Sequence, residues 1–255
     1  MLKNYVINVA TNTERQAHIQ QEFGKKNIPF TFFKAVTPIN TDSIYQQLGL
    51  TADTSHCTAG EMACLLSHVS LWQRCLDENL DYIGVFEDDI ILGESSQKLL
   101  TQIDWLKNHQ MDFVKLEKTS RRAYLAKPSE FLYSTTHRVY ELRSRHINAA
   151  GYILSKVGAT HLLAFVRGLS QLEAIDILLF DVKKYPKNII TYQVLPAIVI
   201  QAKKIATTAN QALMSSDLRE GRGTEIREEK TSLERLSNEI QRWAKPLYMT
   251  KITFR

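Results

Sequence analysis

The chain has 255 residues, 44% of them hydrophobic and 23% charged, ample for one large α/β domain or a domain with an appendage and for a sizeable core. Net charge is +5, but the 32 Lys and Arg are spread along the chain rather than massed in one block, so the expected partner is an anionic substrate or an anionic membrane surface and not nucleic acid. The opening MLKNYVINVATNTER holds only a short apolar stretch and no run reaches bilayer length, so neither a signal peptide nor a span is expected, and the cytosol is the expected compartment.

Tyr5 to Val9 reads as a buried strand, followed by a polar turn and an amphipathic helix carrying Ala17, Ile19 and Phe23. Phe30 to Ala35 reads as a second strand, and residues 37 to 56, with Pro38 and Gly49, as a loop-rich insertion. The clearest helix follows: Thr58 and Glu61 are spaced as a capping box, and Met62, Leu65, Leu66, Val69, Leu71, Trp72 and Leu76 form a broad apolar face. Cys64 and Cys75 fall on this helix about three turns apart, too far for a disulfide. Cys64 and His68 stand at i, i+4 with His56 and Cys57 upstream, but the spacing matches no recognised zinc pattern, and His68 reads first as a core histidine.

Tyr82 to Phe86 is a strand that runs into three consecutive carboxylates, Glu87, Asp88 and Asp89, followed by apolar Ile90, Ile91 and Leu92. Like charges against hydrophobic flanks persist most readily where a hard cation or a cationic substrate compensates them. At period two, Glu87 and Asp89 share one side and Asp88 faces elsewhere, giving an acidic-x-acidic pair suited to Mn²⁺ or Mg²⁺ on a diphosphate. The carboxyl end of a strand in an open α/β sheet is also where such folds bind ligands.

A helix over 96 to 107 and a strand over 112 to 116 come next, the latter placing Lys115 and Glu117 on one face. Residues 118 to 137, basic and without periodicity, read as a mobile loop. Strands near 138 to 143 and 149 to 154, helices over 155 to 166 and 171 to 180, and a strand over 189 to 195 complete an alternation that argues for an α/β fold with a mainly parallel sheet. From 203 the composition turns polar, with eleven Lys or Arg against seven Asp or Glu. Gly221 and Gly223 mark a break, and 231 to 243 reads as a capped helix ending at Trp243. The expected division is a catalytic domain over 1 to 202 and a basic tail over 203 to 255, either docked or in peripheral contact with anionic lipid.

The segments YVINV (5 to 9) with Arg15 downstream, AGEMACLLSHVSLW (59 to 72), VFEDDI (85 to 90), DFVKLE (112 to 117), AAGYILSKVGATHLL (149 to 163) and PAIVIQ (196 to 201) occur in an order that resembles glycosyltransferase family 25, the bacterial lipooligosaccharide and lipopolysaccharide glycosyltransferases. The resemblance implies a GT-A-like, Rossmann-type fold and inverting transfer of a hexose, usually galactose or glucose, from a UDP donor to a sugar hydroxyl on a lipid-anchored oligosaccharide. Asn148-Ala149-Ala150-Gly151-Tyr152 departs from the family's usual Gly-Thr-x-Ala-Tyr.

Such a transfer needs a grip on uridine, neutralisation of the leaving diphosphate and a base. Asn8 at the end of the first strand could hydrogen-bond the base or ribose, Arg15 could reach a phosphate, and Glu87 could accept from ribose hydroxyls. Asp88 and His68 join the donor side, and Asp89 would hold Mn²⁺ or Mg²⁺. For the base, Asp176 is a carboxylate among apolar residues and also matches the Asp that the family carries there, with Glu173 as the alternative. A metal-dependent phosphohydrolase and an inactive glycan-binding relative are the competing readings.

Overall fold

In the computed structural model, residues 2–131, 136–185, 188–205 and 249–255 are described, with 127–131 described by their backbone alone. The strands are β1 (Lys3–Asn8), β2 (Thr31–Lys34), β3 (Tyr82–Glu87), β4 (Ile90–Leu92), β5 (Phe113–Lys115), β6 (Arg122–Ala123), β7 (Leu125–Phe131), β8 (Arg138–Leu142), β9 (Gly151–Ser155), β10 (Thr191–Leu195), β11 (Val199–Gln201) and β12 (Thr250–Lys251). The helices are α1 (Thr13–Gly24), α2 (Thr41–Gln47), α3 (Ala59–Asp77), α4 (Ser96–Thr101), α5 (Asp104–Asn108), α6 (Lys156–Arg167) and α7 (Ile175–Phe180).

Eight strands form one sheet in the order β2-β1-β3-β9-β5-β10-β8-β7. β1 pairs parallel with β2 and β3, and β5 pairs parallel with β10; β9 is antiparallel to β3 and β5, and β8 to β10 and β7. All but β9 and β8 therefore run in one direction, so the expected mainly parallel α/β sheet is present with two opposing strands inside it.

Both faces of this sheet are apolar, because neighbouring strand residues point to opposite sides. Tyr5, Val85, Phe113, Tyr152 and Leu154 pack with α3, α6 and α7 on one face, while Val6, Phe86, Val114, Ile153 and Val194 pack with α1, α4 and α5 on the other. The result is a helix–sheet–helix sandwich in which each fully buried large apolar side chain contributes about 1.5–3 kcal/mol. On α3 the capping box forms as spaced: Thr58 accepts from the Glu61 N–H and the Glu61 side chain accepts from the Thr58 N–H. Such a cap is worth about 1 kcal/mol.

Four local expectations need correction. Residues 37 to 56 are not mainly loop: a 3-10 turn over Pro38–Asn40 leads into α2, whose Ile44 and Tyr45 pack on the core and whose Tyr45 hydroxyl donates to the Ala52 carbonyl at 2.6 Å. The helix over 96 to 107 is two helices, broken at an extended Gln102 so that Trp105 folds back, buried, with Nε1 donating to the Leu99 carbonyl at 3.2 Å. The basic segment after 118 contains β6 and β7. Polar composition hid them because β7 is an edge strand with register shifts, where polar residues are normal. The helix over 171 to 180 begins only at Ile175, because Gln171 bridges to Asp53 and the Leu172 N–H donates to the Asp53 carbonyl at 2.8 Å.

The tail helix expected over 231 to 243 lies outside the described residues. Residues 249–255 return to the main body of the fold: β12 pairs with β6, and Ile252 is buried in the core cluster that includes α3.

Candidate active site

The acidic triplet occupies the tight turn between β3 and β4, and the fold closes around it from three directions. β11 pairs antiparallel with β4 so that Gln201 stands opposite Ile90, and the Ala202 N–H donates to the Asp89 carbonyl at 2.7 Å. Gly151 at the start of β9 lets β11 lie close above it, since a Cβ there would meet the Val199 side chain at 2.8 Å. β5 then delivers Glu117, which bridges to Val199.

Within the triplet the side chains separate as the period-two argument requires. Asp88 turns toward β1 and α1: its carboxylate accepts from Asn8 Nδ2 at 2.8 Å and pairs with Arg15 at 2.6 Å. The Asn8 side-chain Oδ1 in turn accepts from Gln16 Nε2 at 2.9 Å. Asn8 and Arg15 are thus both engaged with Asp88, and Asn8 acts by fixing that carboxylate in place. Glu87 and Asp89 turn to the opposite side, where Gln201 Nε2 donates to Glu87 at 3.1 Å and to Asp89 at 3.3 Å.

The orientation of Gln201 has its own cause. Asn148, in the left-handed backbone region at φ 87° that Asn tolerates, donates from Nδ2 to Gln201 Oε1 at 2.6 Å, so the Gln201 amino group must face the carboxylates. Asn148 also reaches Glu117 Oε1 at 3.4 Å, and its carbonyl accepts from Lys115 Nζ. Lys115 and Glu117, both fully buried and 3.5 Å apart, form the floor, and Lys204 approaches Glu117 at 3.7 Å.

Electrostatically the two sides differ. Burial pushes Glu87 well above the usual carboxylate range, and the like charges of Asp89 and Glu117 push it further, with Lys203 opposing. Asp89 is raised by burial, with Lys203 and Arg15 opposing. Across the floor, burial brings the Lys115 ammonium down to about 8 against the pull of Glu117. Lys115 Nζ also sits 3.7 Å from the centre of the Phe180 ring, a cation–π contact.

His68 is completely buried on α3, with Nδ1 in a 2.9 Å hydrogen bond to the Tyr152 hydroxyl, which also accepts from Trp72 Nε1 at 2.8 Å. Its Nε2 lies 3.9 Å from Glu87 Oε1, so it bears on the site through Glu87. Asp176, in the first turn of α7, adds its charge to the field at Glu87, Cys64 and Lys115, which puts it beside the cluster. Glu173 is elsewhere: it precedes α7 and pairs with Lys184 at 2.5 Å, so it does not share a helical face with Asp176.

The fold therefore brings together Asn8, Arg15, His68, Glu87, Asp88, Asp89 and Asp176, and sets Glu173 apart. Sequence reasoning gave no site role to Gln201, Asn148 or Lys203. PAIVIQ at 196 to 201 carried the available signal, since a polar residue closing an apolar strand matters once that strand is paired beside the acidic turn.

The Glycosyltransferase family 25 (LPS biosynthesis protein) model matches residues 1–179. A putative glycosyltransferase of Haemophilus influenzae is 33% identical over 99% of this chain and 88% of its own length, and the lipooligosaccharide biosynthesis protein lic2B of the same species is 36% identical over 78% and 75%. The lacto-N-neotetraose biosynthesis glycosyltransferase LgtE of Neisseria gonorrhoeae is 32% identical over 87% and 82%. Among solved structures, a glycosyltransferase involved in the glycosylation of the major capsid of PBCV-1 overlaps with a TM-score of 0.44 at 8% identity, over 84% of this chain and 98% of that one. With a family match over residues 1–179 and a relative 33% identical over 99% of this chain, the chain belongs to glycosyltransferase family 25.

Proposed function

We propose that this glycosyltransferase moves a hexose, galactose first and glucose second, from a UDP-sugar to a hydroxyl of a lipooligosaccharide or lipopolysaccharide core, with inversion and with Mn²⁺ or Mg²⁺. The observation that carries the reading is the pair Glu87 and Asp89, two crowded carboxylates facing one side of the β3–β4 turn and met there by the neutral amide of Gln201. Crowded oxygen donors of this kind, opposed only in part by nearby cationic side chains, fit a hard divalent cation. Asp89 would hold the ion, which when bound supplies charge neutralisation for the departing diphosphate.

Glu87 Oε2, on the Gln201 side, is available to ribose hydroxyls, and Asp88 holds Arg15, whose guanidinium would meet an anionic donor. Asp176 takes the proton of the acceptor hydroxyl as that oxygen bonds to the anomeric carbon and the carbon–diphosphate bond breaks, releasing UDP. A single displacement from the face opposite the leaving group inverts the centre. The names of the Haemophilus and Neisseria relatives favour a lipooligosaccharide acceptor.

A lipid-anchored acceptor places the enzyme at the cytosolic face of the inner membrane. No helix among the described residues is long and apolar enough to cross a membrane. We assign the contact to the basic surplus of the 203 to 255 segment, whose last residues, 249–255, are anchored on the domain through β12.

UDP release measured with UDP-galactose, UDP-glucose and their N-acetyl forms, against lipooligosaccharide core fragments and with or without Mn²⁺, tests the whole reading. Acceptor-dependent UDP is the expected result; phosphate release instead would mean a hydrolase, and neither product an inactive binder.

A further inference from the structure

Among the described residues, one of the buried polar atoms without a hydrogen-bond partner faces the acidic cluster. The Nε2 atom of His68 makes no hydrogen bond, although the residue is 0% exposed and polar atoms so placed are expensive to leave unmatched. It points to where Cys64, one turn earlier on the same face of α3, and Glu87, at the end of β3, converge. The Cys64 sulfur, a His68 ring nitrogen and a Glu87 carboxylate oxygen all lie within 4.8 Å of one another.

We propose that Cys64, His68 and Glu87 form a metal centre of their own, distinct from the one read at Asp89, that takes a borderline-soft divalent ion of the zinc type. Thiolate, imidazole and carboxylate are zinc's ligand set, whereas a thiolate is a poor ligand for Mn²⁺ or Mg²⁺. Metal-binding imidazoles are typically oriented by a hydrogen bond on their other nitrogen. Here the Tyr152 hydroxyl occupies His68 Nδ1 at 2.9 Å and is itself anchored by Trp72 Nε1 at 2.8 Å. With bonds of about 2.0–2.3 Å, the three ligand atoms need to close by roughly 1 Å, within the reach of side-chain rotation. Binding releases the Cys64 thiol proton to solvent and leaves the imidazole neutral, with Nδ1–H donated to Tyr152.

Three protein ligands leave the fourth position of a tetrahedral site open. Glu87 links this centre to the one proposed at Asp89: its Oε1 is the oxygen 3.9 Å from His68, and its Oε2 accepts from Gln201, which also donates to Asp89. An ion on the first oxygen fixes the second toward the donor side. This explains why a cysteine and a histidine one turn apart, which matched no zinc pattern along the chain, carry a site once the strand supplies the third ligand.

The test uses Co²⁺ as the probe on the full chain, stripped with chelator and then titrated. The expected result is a thiolate-to-cobalt charge-transfer band with tetrahedral d–d absorption, bleached by one equivalent of Zn²⁺. The charge-transfer band should vanish in both Cys64→Ser and Cys64→Ala, and affinity should fall at least about 10- to 100-fold in His68→Gln. Asp89→Asn, whose substitution lies outside the set, should keep the band and shows that a folded protein is being read. Absence of the band in the wild-type chain, or its survival in either Cys64 variant, overturns the proposal. Mn²⁺-dependent UDP release is scored separately: its survival at the wild-type level in Asp89→Asn, with the cobalt band intact, would sink the Asp89 reading and leave this one standing.

Discussion

Asp88 and Asp89 are adjacent in the chain and equally buried, yet they sit in opposite electrostatic settings. Asp88 has a guanidinium at 2.6 Å and an amide at 2.8 Å, the latter fixed in turn by Gln16. Asp89 shares one neutral amide with Glu87, a second carboxylate on the same side, and burial raises it despite the opposing charges of Lys203 and Arg15. A carboxylate that the fold has already compensated contributes to stability, because losing its partner strands a charge. One left crowded with another is held at a cost, and such costs concentrate where a ligand supplies the missing charge. The contrast teaches that burial and charge do not by themselves mark a functional carboxylate; the identity of its partners does.

The sharpest way to break this comparison is Asp89→Asn. Activity and its response to Mn²⁺ should fall by about 10²–10³-fold, the scale for removing one preorganised charge-stabilising group, while the thermal midpoint stays level or rises because like-charge crowding is relieved. UDP-release kinetics and a melting curve on the same sample decide it. A large drop in melting temperature with activity retained would reverse the two roles.

Next in size is Asp176→Asn, expected to lower kcat by about 10²-fold with UDP affinity unchanged, since a base acts in the transition state and not in donor binding. Glu173→Gln should change kcat little, because its carboxylate is committed to Lys184. If the order of the two effects is inverted, the base has been assigned to the wrong carboxylate.

Arg15→Ala probes the compensated side. It strands Asp88, whose side chain is only 9% exposed, and should destabilise the fold by about 2–3 kcal/mol, somewhat below the value for a fully buried pair because the Arg15 side chain retains 16% exposure. Urea unfolding at neutral pH measures this. Asp88→Asn should cost less, since it removes the charge that Arg15→Ala leaves behind, and its stability loss should exceed that of Asp89→Asn.

The smallest effect concerns the opposite side of the floor, where His146 Nε2 accepts from the Thr119 N–H at 3.0 Å and must therefore be neutral there. Burial, with Lys115 and Lys204 adding to it, brings its pKa down from 6.5 to about 3. The folded state then binds fewer protons than the unfolded state between those values, so this contribution is intact above pH 6.5 and is lost as pH falls toward 3. The slope is at most about 1.4 kcal/mol per pH unit. Unfolding free energies of wild type and His146→Gln between pH 7 and 4.5 should diverge in that direction; parallel curves would mean that His146 titrates freely in the fold.

Local patterning along the chain determined much of this protein. The α3 capping box, the alternation of strands and helices, the buried run of β3 into Glu87, Asp88 and Asp89, and the opposite facing of Asp88 and Asp89 all follow from backbone periodicity and hydrogen-bond chemistry within a few residues. The ordered motifs likewise carried the family. What only the tertiary structure decided depends on pairing between distant segments. β4 with β11 brings Gln201 beside Glu87 and Asp89, the Asp53–Gln171 bridge delays the start of α7 and separates Glu173 from Asp176, and β3 beside α3 sets Glu87 against His68 and Cys64. Short strands such as β4 and β11, of three residues each, carry too little periodicity to announce themselves, and they form because the partner strand and the Gly151 approach are already in place. Which carboxylate is compensated is therefore a property of the assembled sheet, since it depends on whether Arg15 or Gln201 arrives beside it.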